Sequence, residues 1–205
     1  MKKQSSAGLS LEQNIWQSGV RHIAGIDEVG RGPLAGPVMA CAVIFEKDVH
    51  FPEVDDSKKL TREKRRELKT LLCREALGWA VGLATVREID YFNIRLATFM
   101  AMRRSLAGLQ IKPDFLLVDG EPLPHTISPA LGVVKGDATS FTIAAASIIA
   151  KETRDQYMEE LSRQFPLYLW HKNKGYGTRE HLQAIRENGL CSCHRKSFMK
   201  NTGIF

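Results

Sequence analysis

The feature that most constrains this chain is the run Gly25-Ile26-Asp27-Glu28-Val29-Gly30-Arg31-Gly32-Pro33-Leu34-Ala35-Gly36-Pro37-Val38, where two adjacent carboxylates close an apolar segment and four glycines fall within twelve positions. Charge at the end of a buried strand is costly unless it is paired or bound to a cation, so these acids need a partner. Neighbouring side chains on a strand point to opposite faces, so Asp27 and Glu28 share one site only if the strand bends or ends there. Gly30 and Gly32 permit such a bend. The link to the next apolar run, Val38 to Phe45, is too short for a crossover helix and predicts an antiparallel pair. The glycine spacing also approaches that of a dinucleotide-binding turn, but Pro33 and Pro37 intervene and a strand follows where that motif needs a helix.

Apolar runs rich in β-branched residues recur at His22 to Val29, Val38 to Phe45, Ala80 to Val86, Phe115 to Val118 and Leu131 to Val134, predicting five strands. Helices are expected from Thr61 onward, over Glu88 to Leu106, over Ser140 to Phe165 and over Thr178 to Glu187. In the third of these, Ala144, Ala145, Ala146, Ser147 and Ala150 let a helix lie close on a sheet, which makes it the expected central helix. The pattern reads as one α/β domain with a mixed sheet over residues 1–205, its core at about 20–165 and a helical, basic segment at about 166–205.

A chain of 205 residues with 43% hydrophobic content can bury a core without disulfides or structural metal. Its apolar stretches are too short to span a membrane, and polar residues stand where a signal peptide would have its apolar region, so the protein is expected in the cytoplasm. Cys41, Cys73, Cys191 and Cys193 lack the density of a disulfide framework. Cys191-Ser192-Cys193-His194 offers three zinc ligands, but a closed site needs four and no second pair stands at finger-like spacing, so the segment reads as an exposed turn. Residues 171–205 carry seven basic against two acidic side chains, whereas residues 1–170 carry 22 against 21. The basic segment is either a solvated face or a surface for a polyanion.

Two further acids end apolar runs: Asp119 after Phe115 to Val118, and Asp137 within Lys135-Gly136-Asp137. Singly, each reads as a turn residue or cap. Four acids at the ends of three strands converge if those ends share one edge, and a hard divalent cation is the usual compensation for their repulsion. Oxygen-only ligands favour Mg²⁺ or Mn²⁺, and a pair of such ions roughly 3.5–4 Å apart suits phosphodiester hydrolysis. A non-catalytic nucleic-acid-binding module would gain nothing from acids near phosphate. A resolvase- or transposase-type metal nuclease is the other alternative. Lys135 is expected near phosphate, Lys58 and Lys59 suit either phosphate or a solvated helix start, and His125 and His181 read as structural.

The runs Gly25 to Val38, Asp56-Ser57-Lys58-Lys59-Leu60, Leu117-Val118-Asp119-Gly120, Lys135-Gly136-Asp137, Ala144 to Asp155 and Lys174-Gly175-Tyr176-Gly177-Thr178 resemble ribonuclease HII in order and spacing. The resemblance implies the ribonuclease H fold and an endonuclease that hydrolyses the RNA strand of RNA/DNA hybrids. It implies cutting 5′ of single ribonucleotides in duplex DNA, leaving 5′-phosphate and 3′-hydroxyl ends. Asp27, Glu28, Asp119 and Asp137 would be its catalytic, metal-binding carboxylates, the Gly30-Arg31-Gly32 backbone would read the ribose 2′-OH, and Tyr176 would stack on the adjoining sugar. Without the resemblance, the alternative for Gly175-Tyr176-Gly177 is a turn whose ring packs in the core. A monomer is expected, and Asn201 to Phe205 resembles short tails that dock on a sliding clamp. Leu190-Cys191-Ser192-Cys193 departs from the family's Pro-rich stretch before His194-Arg195-Lys196-Ser197-Phe198, which leaves that loop's role open. The related ribonuclease HIII carries a long N-terminal extension, whereas about 20 residues precede the first strand here, so type 2 is preferred.

Overall fold

The computed structural model describes residues 7–55, 57 and 60–200. Lys58, Lys59 and the clamp-like segment Asn201 to Phe205 therefore lie outside the described residues. All five expected strands form: β1 (Ile23–Val29), β2 (Val38–Ile44), β3 (Gly78–Ala84), β4 (Phe115–Asp119) and β5 (Ala130–Val133), ordered β3-β2-β1-β4-β5. β1 pairs antiparallel with β2, as the short link requires, and β2 with β3; β1, β4 and β5 run parallel.

The helices are α1 (Ser10–Trp16), α2 (Arg62–Glu75), α3 (Val86–Ala107), α4 (Phe141–Gln164), α5 (Trp170–Asn173), α6 (Arg179–Asn188) and α7 (Lys196–Met199). Thr61, Ser140 and Thr178 each accept a hydrogen bond from a backbone N–H of the first turn, which fixes where α2, α4 and α6 begin. A reciprocal pair between Thr85 and Glu88 starts α3. That helix is interrupted at Asn93, which has φ 68° and accepts from Leu96 N through its side chain. No helix among the described residues is long and apolar enough to cross a membrane.

The two faces of the sheet bury alternate residues. Ala24, Ile26, Leu116 and Val118 pack with Ala97, Ala101 and Met102 of α3. Cys41 and Val43 pack with Phe141, Ala144, Ala145 and Ile148 on the α4 side. The small-residue face of α4 comes so close to β1 that a Cβ at Gly25 would stand 2.3 Å from the Thr142 carbonyl carbon. This is the central helix that the alanines predicted.

Sequence reading missed α1. It packs on the core with Glu12 fully buried, and Glu12 Oε1 accepts from Ser140 Oγ at 2.6 Å, Thr142 Oγ1 at 2.9 Å and Thr142 N at 3.0 Å. The carboxylate thus sits at the N-terminus of α4, where the aligned peptide dipoles favour negative charge. The C-terminal segment is built into the molecule as well: Trp170, Ile185 and Met199 share a buried cluster with Leu34, Ala35 and Met158. The expected exposed turn at Cys191 to His194 is corrected here: both cysteines are half-buried and His194 is 1% exposed, because the segment pairs with Ala35.

Candidate active site

The strands themselves gather the acids. β1 pairs with β4 only as far as Ile26 opposite Val118, but with β2 as far as Val29 opposite Met39. The register therefore sets Asp27 level with Asp119, the last residue of β4, and carries Glu28 one residue past it. The parallel β5 ends at Val133, and Lys135 turns through a left-handed conformation (φ 55°) into the 3-10 turn Gly136–Ala138 that carries Asp137. Gly136 N donates to Asp119 Oδ1 at 2.7 Å and ties the third acidic segment to the second.

Strand β1 neither bends nor ends at the acidic pair; it is its neighbour that ends, which opens the edge. Asp27 turns toward α4, where Ser147 is near enough to ease the cost of its charge, and its Oδ1 accepts from the Glu28 N–H at 2.7 Å. Glu28 turns the other way, into a shallow cleft shared with Arg31, Arg95, Asp119 and Glu121, and accepts from Arg31 Nη1 at 3.2 Å. Burial pushes the Asp27 carboxyl well above the usual carboxylate range, and the Glu28 and Asp119 carboxylates push it the same way. Burial also raises Glu28, against the opposing pull of Arg31.

Among the described residues no three Asp, Glu, His or Cys side chains already stand together as ligands of one ion. The four acids line one edge without closing on a point. Their chemistry fits a hard divalent cation, since every donor is a carboxylate oxygen and the mutual repulsion at Asp27 is what such a charge relieves.

Beside this edge lies the glycine loop. Gly30 has φ 91°, and a Cβ there would stand 2.2 Å from Arg154 Nε, so both its conformation and its space exclude a side chain. A Cβ at Gly32 would stand 3.7 Å from Tyr176 Cε1, so glycine loop and tyrosine form one surface. The Tyr176 residue is 44% exposed, which overturns the alternative of a ring packed in the core. Its loop is held by Leu34 N donating to Gly175 O at 2.8 Å and by His181 Nδ1 contacting Tyr176 O at 2.8 Å. Lys135 is exposed next to the acidic edge.

Two positioning residues escaped the sequence reading. Arg154 and Arg195 are fully buried. Arg154 donates to Pro37 O at 3.0 Å, Ala35 O at 3.1 Å and Lys174 O at 3.1 Å. Arg195 donates to Gly36 O at 2.9 Å, Arg31 O at 2.9 Å and Gly30 O at 2.6 Å. Burial lowers them to about 10 and about 9, which leaves both cationic at neutral pH. Because peptide units are trans and planar, drawing the Gly30 and Arg31 carbonyls inward turns the next N–H groups, of Arg31 and Gly32, outward. Residue type alone gave no sign of this: Arg154 sits beside Lys151 and Asp155, which form the expected i,i+4 pair at 2.7 Å, and Arg195 lies in a basic run.

The sequence pattern of the Ribonuclease HII family matches residues 24–201. A Ribonuclease HII of Desulfitobacterium hafniense is 51% identical over 190 residues, covering 93% of this chain and 73% of that one. The crystal structure of the ribonuclease H2 from Pyrococcus horikoshii OT3 superposes with TM-score 0.74 at 25% identity, covering 89% of this chain and 96% of that one. An RNase HII from Archaeoglobus fulgidus, solved in complex with PCNA, shares the fold with TM-score 0.71 at 23% identity over 89% of this chain and 96% of that one. With an RNase H-like sheet and a match over nearly its whole length, the chain belongs to the ribonuclease HII family, metal-dependent endoribonucleases that act on RNA/DNA hybrids.

Proposed function

We propose that this enzyme, acting as a monomer in the cytoplasm, also cuts on the 5′ side of single ribonucleotides in duplex DNA, leaving 5′-phosphate and 3′-hydroxyl ends. The observation that carries the reading is the single surface made by Gly32 and the Tyr176 ring at the acidic edge. The difference between a ribonucleotide and its deoxy neighbours that holds whatever the base is the 2′-OH. Outward N–H groups on a braced backbone are suited to bind that hydroxyl, and an exposed ring offers a flat surface to the adjoining sugar. A site built to hydrogen-bond a hydroxyl rejects its absence strongly, because its polar groups are then left unpaired.

Asp27, Glu28, Asp119 and Asp137 would hold Mg²⁺ or Mn²⁺, which supplies an activated water and neutralises charge on the phosphate. Lys135 would approach a phosphate oxygen, and the basic side chains of residues 171–205 would follow the duplex backbone. A sliding clamp is the further partner we propose for Asn201 to Phe205, supported by the likeness to the Archaeoglobus fulgidus protein solved with PCNA.

The test is an end-labelled DNA duplex with one embedded ribonucleotide, incubated with Mg²⁺, Mn²⁺ or EDTA. The expected result is a single cut 5′ of the ribonucleotide with either ion and none in EDTA. A cut on the 3′ side, or equal cutting of an all-DNA duplex, would sink the reading.

A further inference from the structure

The segment from Cys191 to Arg195 stands directly behind the glycine loop. Gly36 N donates to Cys193 O at 2.9 Å, Arg195 N donates to Leu34 O at 2.8 Å, and His194 bridges Ala35. Any displacement of Cys193 therefore reaches Gly36 directly, and Gly30 and Arg31 through Arg195.

Within the segment, two thiols and a base are packed together. Cys191 and Cys193 stand two residues apart, their thiols close enough for each to shift the titration of the other, and Cys191 Sγ lies 3.3 Å from His194 Nδ1. The partners fix the imidazole tautomers. Cys191 N donates to His194 Nδ1 at 3.0 Å, so that nitrogen is an acceptor and the ring hydrogen is on Nε2, which faces His181 Nε2 at 3.2 Å. His181 Nε2 in turn accepts from Trp170 Nε1 at 3.0 Å, so its own hydrogen is on Nδ1 and is donated to Tyr176 O. Burial, reinforced by His181, holds His194 down to about 4, so it is a neutral base at physiological pH. The neighbouring Cys191 thiol holds Cys193 down to about 7, and the same interaction pushes Cys191 up. One sulfur is thus poised as a thiolate beside a thiol. The other two cysteines differ: burial pushes both Cys41 and Cys73 up, toward the unreactive thiol.

We propose that Cys191 and Cys193 are an oxidation site that closes reversibly to a disulfide and, in closing, loosens the loop that reads the ribose. With hydrogen peroxide as oxidant, the Cys193 thiolate attacks one oxygen, the O–O bond breaks, and hydroxide leaves to take a proton as water. The resulting sulfenic acid is attacked by the Cys191 sulfur. The S–S bond forms, the S–O bond breaks, and the departing hydroxide takes the Cys191 proton and leaves as water. Two thiols lose two electrons and peroxide becomes two waters. A disulfide bond of about 2.05 Å draws the sulfurs well inside hydrogen-bonding distance. Across one intervening residue that closure bends the backbone, and strained disulfides are readily reduced, which makes the site reversible. The bend pulls on the Cys193 carbonyl that Gly36 N now holds.

The experiment treats the full chain with hydrogen peroxide, removes the oxidant, and maps disulfides by peptide mass before assay on the single-ribonucleotide duplex. The mapping arm is independent of the proposed function; the activity arm rests on it, so reduced enzyme that fails on this duplex would count against that reading and leave mapping to decide this one. We expect a Cys191–Cys193 link with Cys41 and Cys73 unmodified. The activity loss should be roughly ten- to a hundredfold, the scale of a displacement of about 1 Å near a reacting group, and restored by a thiol reductant. Cys191→Ser and Cys193→Ser should keep the reduced activity and resist the loss. Cysteines that end as separate sulfinic acids without a link, or a link that leaves activity unchanged, would overturn the proposal.

Discussion

At the acidic edge Asp27 is 6% exposed and its nearest charges are further carboxylates, whereas Arg154 and Arg195, both fully buried, donate to six backbone carbonyls between them. Both regions take charge out of water, which is unfavourable in itself. The arginines are compensated inside the protein, so their surroundings are fixed. Asp27 is instead buried beside the Glu28 and Asp119 carboxylates, so its edge favours an added cation. One region supplies rigidity, the other an electrostatic bias toward positive charge.

Substitutions should separate the two. The largest effect is expected for Asp27→Asn, which should lower turnover roughly 10⁴-fold or more, about 5 kcal/mol of transition-state stabilisation. Its melting temperature in EDTA should stay level or rise, because a repelling buried charge has gone. A variant that melts lower would show that Asp27 is structural.

Arg195→Ala should act in the opposite sense, destabilising the fold by about 3–5 kcal/mol in urea titration, since buried carbonyls lose their donors. Arg195→Lys should rescue little, because an ammonium cannot present the planar fork that reaches all of them. Rescue to wild-type stability by lysine would break the contrast.

Tyr176→Ala should give the smallest change, with a melting temperature close to wild type because the residue is 44% exposed and outside the buried clusters. Its activity on a single embedded ribonucleotide should fall roughly tenfold to thirtyfold, in keeping with about 1–2 kcal/mol for an aromatic contact to a nucleotide. The loss on a continuous hybrid should be smaller. Equal losses on both substrates, with a much lower melting temperature, would return Tyr176 to a packing role.

The same contrast explains what was legible in the sequence. Strands, caps and the acids at strand ends follow from local pattern, as with Thr61 at α2 and Asp119 at the end of β4; the third strand formed two residues earlier than expected, because Thr85 caps α3 and Val86 opens it. That Glu28 and Asp27 would reach one edge while facing opposite sides depended on where β4 stops relative to β1, which is a matter of register between strands far apart in sequence. The braces were invisible for the same reason. Arg195 bonds to a carbonyl 165 residues away, and nothing near either partner marks the contact. Helix α1 was missed because its short run is held by distant contacts, Trp16 in an apolar cluster with Ile23 and Ile143 and Glu12 at the start of α4.

That long reach has a consequence for synthesis. A chain made from its N-terminus at roughly 5–20 residues per second completes β1 and the glycine loop well before Arg195 appears. Arg31 and Arg195 are 164 residues apart, so the interval is on the order of ten to thirty seconds. During that time the acids can already stand at their strand ends, while the glycine-loop backbone that we propose reads the ribose has no guanidinium from Arg195 to hold it. The order of translation thus fastens the glycine loop late, after the charged edge.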